Sequence, residues 1–382
     1  MLGINSNINS LVAQQNLNGS QSALSQAITR LSSGKRINSA ADDAAGLAIS
    51  TRMQTQINGL NQGVSNANDG VSMVQTASSA LSSLTSSLQR IRQLAVQAST
   101  GSLSSSDQAA LQKEVAAQIS EVNRIASQTT YNGTNILDGS AGSLTFQVGA
   151  NVGQTISLNL SQSMSAAKIG GGLVQTGQTV GTVSLSVDSA GVYTTAASPA
   201  ITAINVLSDG KGGYTFTDQN NQAIAGTVAA AVFGANATGG TGVQVGALAL
   251  QGAATTTAGA GSAAQASAVA QINAINSPPT VSNLDISTVT GANEAMVSID
   301  NALQTVNNLQ ASLGAAQNRF TAISTSQQAE STDLSSAQSQ ITDANFAQET
   351  ANLSKAQVLQ QAGISVLAQA NSNPQQVLKL LQ

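Results

Sequence analysis

The sequence predicts a mainly α-helical protein: long coiled-coil rods formed by paired N- and C-terminal segments, with a β-hairpin and a small β-rich outer domain inserted between them. Three observations carry this. Apolar residues recur every three or four positions from Met53 to Ala95, with no proline in the run. Near the other end Ile299, Val306, Leu313, Phe320, Gln327, Leu334 and Ile341 stand seven apart without a slip. Between the two lies a stretch of glycine, threonine, alanine and valine in which apolar residues alternate with period two.

From the N-terminus, Ile4, Ile8, Leu11, Leu17, Leu24, Ile28 and Leu31 form a sparse stripe, weakened at Gly19. Ordering so thinly apolar a segment costs more entropy than its burial returns, so it is expected to order only against a partner surface. A terminal helix docked on its own domain is the simpler alternative. Gly34 is placed to end this helix in the left-handed conformation, with Lys35 and Arg36 favourable beside a helix C-terminus. Ser39 is the expected N-cap of the next helix, with Asp42 and Asp43 in its first turn. Adjacent aspartates also occur in metal and acid–base sites, but no other ligand type stands nearby.

The Met53–Ala95 series implies a helix roughly 65 Å long, and its 3.5-residue mean period implies a left-handed supercoil with a second helix. The heptads near the C-terminus supply one, with Leu303, Leu309, Ala316 and Ile323 at intermediate positions; an ordinary helical bundle core would show the same spacing. After a turn over Ser99–Asp107, Leu111, Val115, Ile119, Val122 and Ile125 mark a shorter returning helix. Tyr131-Asn132-Gly133 is a turn signal. Leu144, Phe146 and Val148 alternate opposite Ile156, Leu158 and Leu160, with Gly149 to Gly153 between them, as in a β-hairpin.

From Gly170 to about Pro279 the insert is expected to be β-rich, with alternation at Val183, Leu185 and Val187, at Tyr214 and Phe216 after the 209–213 turn, and at Val243 and Val245. Gly170-Gly171-Gly172 is expected to be a flexible junction; no lysine or helix follows that would make it a phosphate loop. Pro278 and Pro279 end the insert, and the second rod is expected to open near Asn293 and Glu294. Leu353, Ala356, Leu359, Ala362, Val366 and Ala370 then form a further amphipathic helix, expected to break at Asn373-Pro374, followed by a last apolar turn with Val377, Leu380 and Leu381. The pairing of distant rods implies nested domains: 1–40 with 344–382, 41–170 with 288–343, and 171–287.

Composition narrows the function. Charged residues are only 8% of the chain, so its surface lacks the charge that keeps proteins apart and suits dense packing against copies of itself. A net charge of −4, with only Lys168 and Lys211 between Arg124 and Arg319, offers no basic stripe for nucleic acid. The absence of Cys and His removes thiol nucleophiles, Ser-His-Asp triads and the usual zinc ligands, which leaves an enzyme only residues such as Asp42, Asp43 or Tyr131. No cofactor or metal site is expected. The first basic residue is Arg30 and no apolar run has the length of a secretory core or a membrane span, so neither a cleaved signal peptide nor a membrane partner is expected.

Two-ended motifs add a resemblance. In Ile4-Asn5-Ser6-Asn7 with Leu11, LSSGKRINSAADDAAGLAIS (Leu31–Ser50), LQRIRQLAVQ (Leu88–Gln97), YNGTNIL (Tyr131–Leu137), ANFAQETANLSKAQVLQQAGISVLAQAN (Ala344–Asn371) and the closing PQQVL, the chain resembles bacterial flagellin. The likeness covers residues 1–160 and 288–382.

That resemblance implies self-assembly into the hollow filament of swimming motility. Terminal helices of residues Met1–Leu31 and Ala344–Gln382 would be paired in an inner tube. It implies extracellular localisation after export of the unfolded chain without a cleaved signal peptide, and an export chaperone, filament cap and hook-junction proteins as partners. It also implies recognition by innate immune receptors. Arg90, Leu94 and Glu114 match the animal receptor's contact positions. Thr29–Ser50 matches the plant receptor epitope, through Leu31, Gly34, Arg36, Ile37, Asn38, Ser39, Ala40, Asp42, Asp43, Ala44, Gly46 and Leu47. Subunit packing alone would equally account for these positions. Ser6 replaces the commoner Thr, the chain ends in Gln382, and the insert carries no histidine for the zinc peptidase motif found in some flagellins. A hook–filament junction protein with flagellin-like ends is the alternative reading.

Overall fold

The computed structural model describes residues 7–194, 199–234, 244–245, 247–250 and 260–380. Ile4, Val243 and Leu381 lie outside the described residues, as do the side chains of Val245, Val377 and Leu380. The chain forms two compact units, each drawn from distant parts of the sequence: Met1–Asn68, Gln147–Thr155 and Thr321–Gln382 in one, Asp69–Phe146 and Ile156–Phe320 in the other.

In the first unit, helix α1 (Ile8–Ser33) opens where the Asn7 side chain accepts a hydrogen bond from the Ser10 amide, and it closes on Gly34 at φ +68°. Gly19 does not interrupt it. It packs along α7 (Phe346–Leu380), so the two tails of one chain give each other a partner surface, which is the docked arrangement. The pair buries Leu24 together with the small residues Ala13 and Ala27 on α1 and Ala356 and Ala370 on α7.

The break expected at Asn373-Pro374 is absent: α7 runs through to Leu380. A proline inside a helix strips the carbonyl four residues earlier of its hydrogen bond, here that of Ala370. The Asn7 side-chain amide donates to that carbonyl at 2.8 Å, so one residue caps α1 and satisfies the acceptor that Pro374 would leave bare. Ser10 adds a hydrogen bond to Asn371.

The link from α1 to α2 (Ala44–Ala98) is held by backbone hydrogen bonds. Arg36 N donates to the Thr342 carbonyl at 2.6 Å, and Ala344 N donates to that of Gly34 at 2.9 Å. Helix α2 starts later than Ser39 predicts. Its cap is Asp43, whose carboxylate accepts from the Gly46 amide three residues on. Asp42 lies outside the helix and closes the preceding turn by accepting from the amides of Asn38 and Ser39. Those bonds hold its carboxyl below the ordinary carboxylate pKa, the Asn38 amide contributing most. Here α2 meets α6 (Val289–Thr342), which begins four residues before Asn293, through a polar seam: Ser331 donates to Asn61, and Gln338 donates to Ser50 and Gln54.

In the second unit the α2–α6 seam is apolar. Leu81, Leu84, Leu88 and Ile91 are fully buried, as are Ile299, Val306, Leu313 and Phe320. The Phe320 ring lies where a side chain at Gly70 would stand and meets Phe146 edge-on at 5.2 Å. Arg92 reaches Asp300 with two hydrogen bonds, of 2.7 and 3.2 Å. Helix α3 (Ser105–Gln128) starts within the expected turn: Ser104 and Asp107 form a reciprocal capping box, so Asp107 belongs to the helix. Val115, Val122 and Ile125 turn inward as predicted.

Strands β1 (Thr130–Tyr131) and β2 (Thr134–Asn135) flank Asn132 and Gly133, both at positive φ as a tight two-residue turn requires. Next come the paired strands β3 (Gly142–Gln147) and β4 (Thr155–Leu160). The triglycine is no flexible junction. Gly170 is buried, and a β-carbon there would stand 2.6 Å from Ser298 Oγ. The insert holds β5 (Thr179–Val187), β6 (Ile201–Ser208), β7 (Gly213–Asp218) and β8 (Gln244–Val245) in one antiparallel sheet in that order. It also contains two helices that the β-rich expectation lacked, α4 (Gly226–Phe233) and α5 (Ala260–Ile275). Val228, Val232 and Phe233 of α4 and Ile272 of α5 join the sheet's buried residues.

Candidate functional site

The largest concentration of exposed apolar side chains lies on the paired tails. Ile8, Leu11, Val12 and Ile28 on α1 and Phe346, Val358, Leu359, Ile364 and Val366 on α7 all stand in solvent, Phe346 at 70% exposure. The α1–α7 contact uses the small residues and leaves these larger ones outward. A groove of about 530 Å³ runs between the helices past Ala13, Gly19, Leu359, Gly363 and Val366. Soluble monomers rarely leave so many large apolar residues together unless something covers them. Of the predicted tail residues, Leu24 is buried, Leu17, Leu31 and Leu353 are half-buried, and Ile8, Leu11, Ile28, Leu359, Ala362 and Val366 are exposed.

On the second unit the structure brings Arg90 and Glu114 together. The Arg90 guanidinium donates to the Glu114 carboxylate at 2.6 and 2.8 Å across α2 and α3, and both side chains are close to half exposed. Leu94 shares their helix face in sequence but is only 1% exposed, because it belongs to the interior stripe beside Ile91 and Ala95. The Leu31–Leu47 segment is folded into the first unit: Ile37 is 5% exposed, the Arg36 guanidinium donates to the Ile341 carbonyl, and Ile37 and Asp43 crowd Gly46.

Asp42 closes its own turn and also accepts from Gln26 and pairs with Arg30 of α1, Asp43 caps α2, and Tyr131 lies in β1. Among the described residues no three Asp or Glu side chains gather where a metal ion could be held, and no helix is long and apolar enough to cross a membrane.

Paired terminal helices with most of their larger apolar residues left outward, and no site for chemistry among the features described, are the architecture of a structural protein. Family models for the bacterial flagellin N-terminal helical region, the flagellin D2 domain and the bacterial flagellin C-terminal helical region match residues 4–142, 172–275 and 296–381. The D2 match falls on the insert, to which the resemblance noted in the sequence did not extend. The chain is 37% identical to the B-type flagellin of Pseudomonas aeruginosa over the whole of both chains. It is 37% identical to flagellin B of Vibrio cholerae, over all of this chain and 99% of the other. The solved structure of FliC from Burkholderia pseudomallei is 68% identical, with a TM-score of 0.59, covering 65% of this chain and 99% of its own. The chain belongs to the bacterial flagellin family, the self-assembling structural subunits of the flagellar filament, extracellular in the assembled state.

Proposed function

We propose that the chain propagates the filament through the outer faces of α1 and α7, which neighbouring copies cover. The observation that carries this is the set of large apolar side chains left exposed on both tails after they have paired. Leu11→Asp and Ile364→Asp each place a charge on that face without entering the α1–α7 contact. Both variants are expected to keep the monomer's helical content by circular dichroism and to give no long tubes under seeding in electron microscopy. Normal tubes from both would overturn the reading. Wild-type protein that capped seeds without extending them would favour a hook–filament junction role.

A second role, as a ligand of innate immune receptors, is supported by the exposed Arg90–Glu114 pair. Leu94 is buried one turn along the same helix, so its part in this reading is packing and not direct contact. For the plant-receptor reading of Leu31–Leu47, Gly34, Arg36, Asn38–Ala40 and Asp42–Ala44 are exposed, whereas Ile37 and Gly46 are buried and contribute by holding the segment's shape. Binding of a purified receptor ectodomain to wild-type and Glu114→Lys monomers tests the animal-receptor part; equal affinity would sink it. Export without a cleaved signal peptide, with the chaperone, cap and junction partners of flagellins, completes the reading. N-terminal sequencing of secreted protein checks it, with Met1 or Leu2 expected first.

A further inference from the structure

Within the second unit the insert joins the rod through two connections, and a domain so attached is free to turn unless an apolar contact binds it across the joint. The outward connection ends in Gly170-Gly171-Gly172, and the return one passes Pro278-Pro279. They are bonded to each other: Val281 N donates to the Ile169 carbonyl and Ser282 N to that of Ala166, both at 3.0 Å. Ala166 and Val281 are fully buried and Ile169 is 1% exposed. Gly170 takes φ +88°, and a β-carbon on it would stand 2.6 Å from Ser298 Oγ and 2.8 Å from Val281 Cγ2, so this joint is pressed onto α6.

One short stretch of α6 serves three structures at once. Val297 belongs to the insert's core, with Val269, Ile272 and Ile275 of α5. Ser298, with no exposed surface, donates its hydroxyl to the Pro279 carbonyl at 2.8 Å and so holds the return connection. Ile299 is fully buried in the seam with α2. Asn301 donates to the carbonyl of Leu173, the residue after the glycines. Successive residues of a helix point about 100° apart, so these three neighbours face three directions from one rigid backbone. Opposite them, Gln112 of α3 grips the return connection with both ends of its amide, donating to the Leu284 carbonyl at 3.0 Å and accepting from Ile286 N at 2.8 Å.

We propose that Val297–Asn301 is a clamp that holds the insert in one orientation on the rod, so that the two unfold as one body. Every contact in the clamp lies within a single chain, so it stands apart from the filament reading and is tested on the monomer.

The insert is perturbed and the rod is read. Phe216→Ala removes a ring that stacks on Phe233 of α4 inside the insert. Amide exchange across a urea series, followed separately on peptides of β6 and on α2 peptides around Leu84, should show both midpoints falling together, by roughly 1 M. Ile204→Val gives the same joint fall on a smaller scale, should Phe216→Ala not fold. In a Val297→Ala, Ser298→Ala background, adding either change should lower the β6 midpoint and leave that of α2 where it was. Because the chain has no cysteine, spin labels on Gln97→Cys of the rod and Asn220→Cys of the insert, both exposed, report their separation. One narrow distance distribution is expected in the otherwise unchanged chain, and a broad one in the Val297→Ala, Ser298→Ala background. A β6 midpoint that falls alone in the intact chain, or a broad distribution there, would overturn the clamp. So would α2 midpoints that still follow the insert, or labels that stay narrow, after both clamp residues are changed.

Discussion

Replacing Gly63 by alanine tests how tightly the hairpin tip is fixed on α2. At an open helical position the change is favourable by about 1 kcal/mol, because alanine has the higher helix propensity. Gly63 is not open. The new methyl would run into the Val148 carbonyl oxygen and lie 2.7 Å from its carbon, against the ~3.5 Å at which two carbons rest, so the hairpin backbone must retreat by at least roughly 0.8 Å. It cannot do so locally. The Val148 and Gly149 amides both donate to the Gln154 carbonyl, and Val148 is 4% exposed. Overpacking of this kind costs about 1–3 kcal/mol, and unseating Val148 instead forfeits a similar amount of burial. After the propensity gain, Gly63→Ala should therefore lose up to about 2 kcal/mol. Gly314→Ala, in α6 with nothing within 4 Å of its added methyl, should gain about 1 kcal/mol. Urea denaturation followed by circular dichroism, with the two variants side by side, measures the gap. If Gly63→Ala proves as stable as Gly314→Ala, the hairpin does not sit on α2 as described.

Phe320→Ala removes a fully buried ring packed on Gly70 and Phe146 and should cost about 3–5 kcal/mol, read as a fall in the denaturation midpoint. Ser104→Ala breaks the capping box of α3 and should cost about 0.5–2 kcal/mol by the same measurement. The pKa of Asp42 is lower in the folded chain than the ordinary 3.8, so its contribution is present above that value and is lost as pH falls through the depressed one. Amide exchange at Asn38 and Ser39 should accelerate across that acid window in the wild type, and no such titration should remain in Asp42→Asn. Arg92→Ala removes a two-point but half-exposed ion pair and should cost no more than about 1 kcal/mol; a loss several times larger would mean that Asp300 anchors the α2–α6 contact.

The rods were legible because burial along them follows helical spacing with little interference: Leu81, Leu84, Leu88 and Ile91 are apolar by period and interior in fact. The insert hid its helices for the opposite reason. In α4, Gly226–Phe233 is apolar almost all round, and α5 is alanine-rich, so neither shows the polar–apolar contrast that marks a face. Strand β6 escaped notice because its buried residues Ile201, Ile204 and Val206 break strict alternation, and the pairing register with β5 shifts near Val187. The tails divide their predicted stripe, with Leu24 buried and Leu17 close to Gly363. Ala13, Ala27, Ala356 and Ala370 are buried with Leu24, while Ile8 and Leu11 of the same stripe stand outward, a division that spacing alone does not show. The helix break forecast at Pro374 failed because the compensating donor, Asn7, lies 363 positions away.

That separation ties the first turn of the chain to its last helix through a single side chain. A chain that stops short of Ala370 lacks the carbonyl to which the Asn7 amide donates, so the start of α1 keeps there only the cap that Asn7 gives to Ser10.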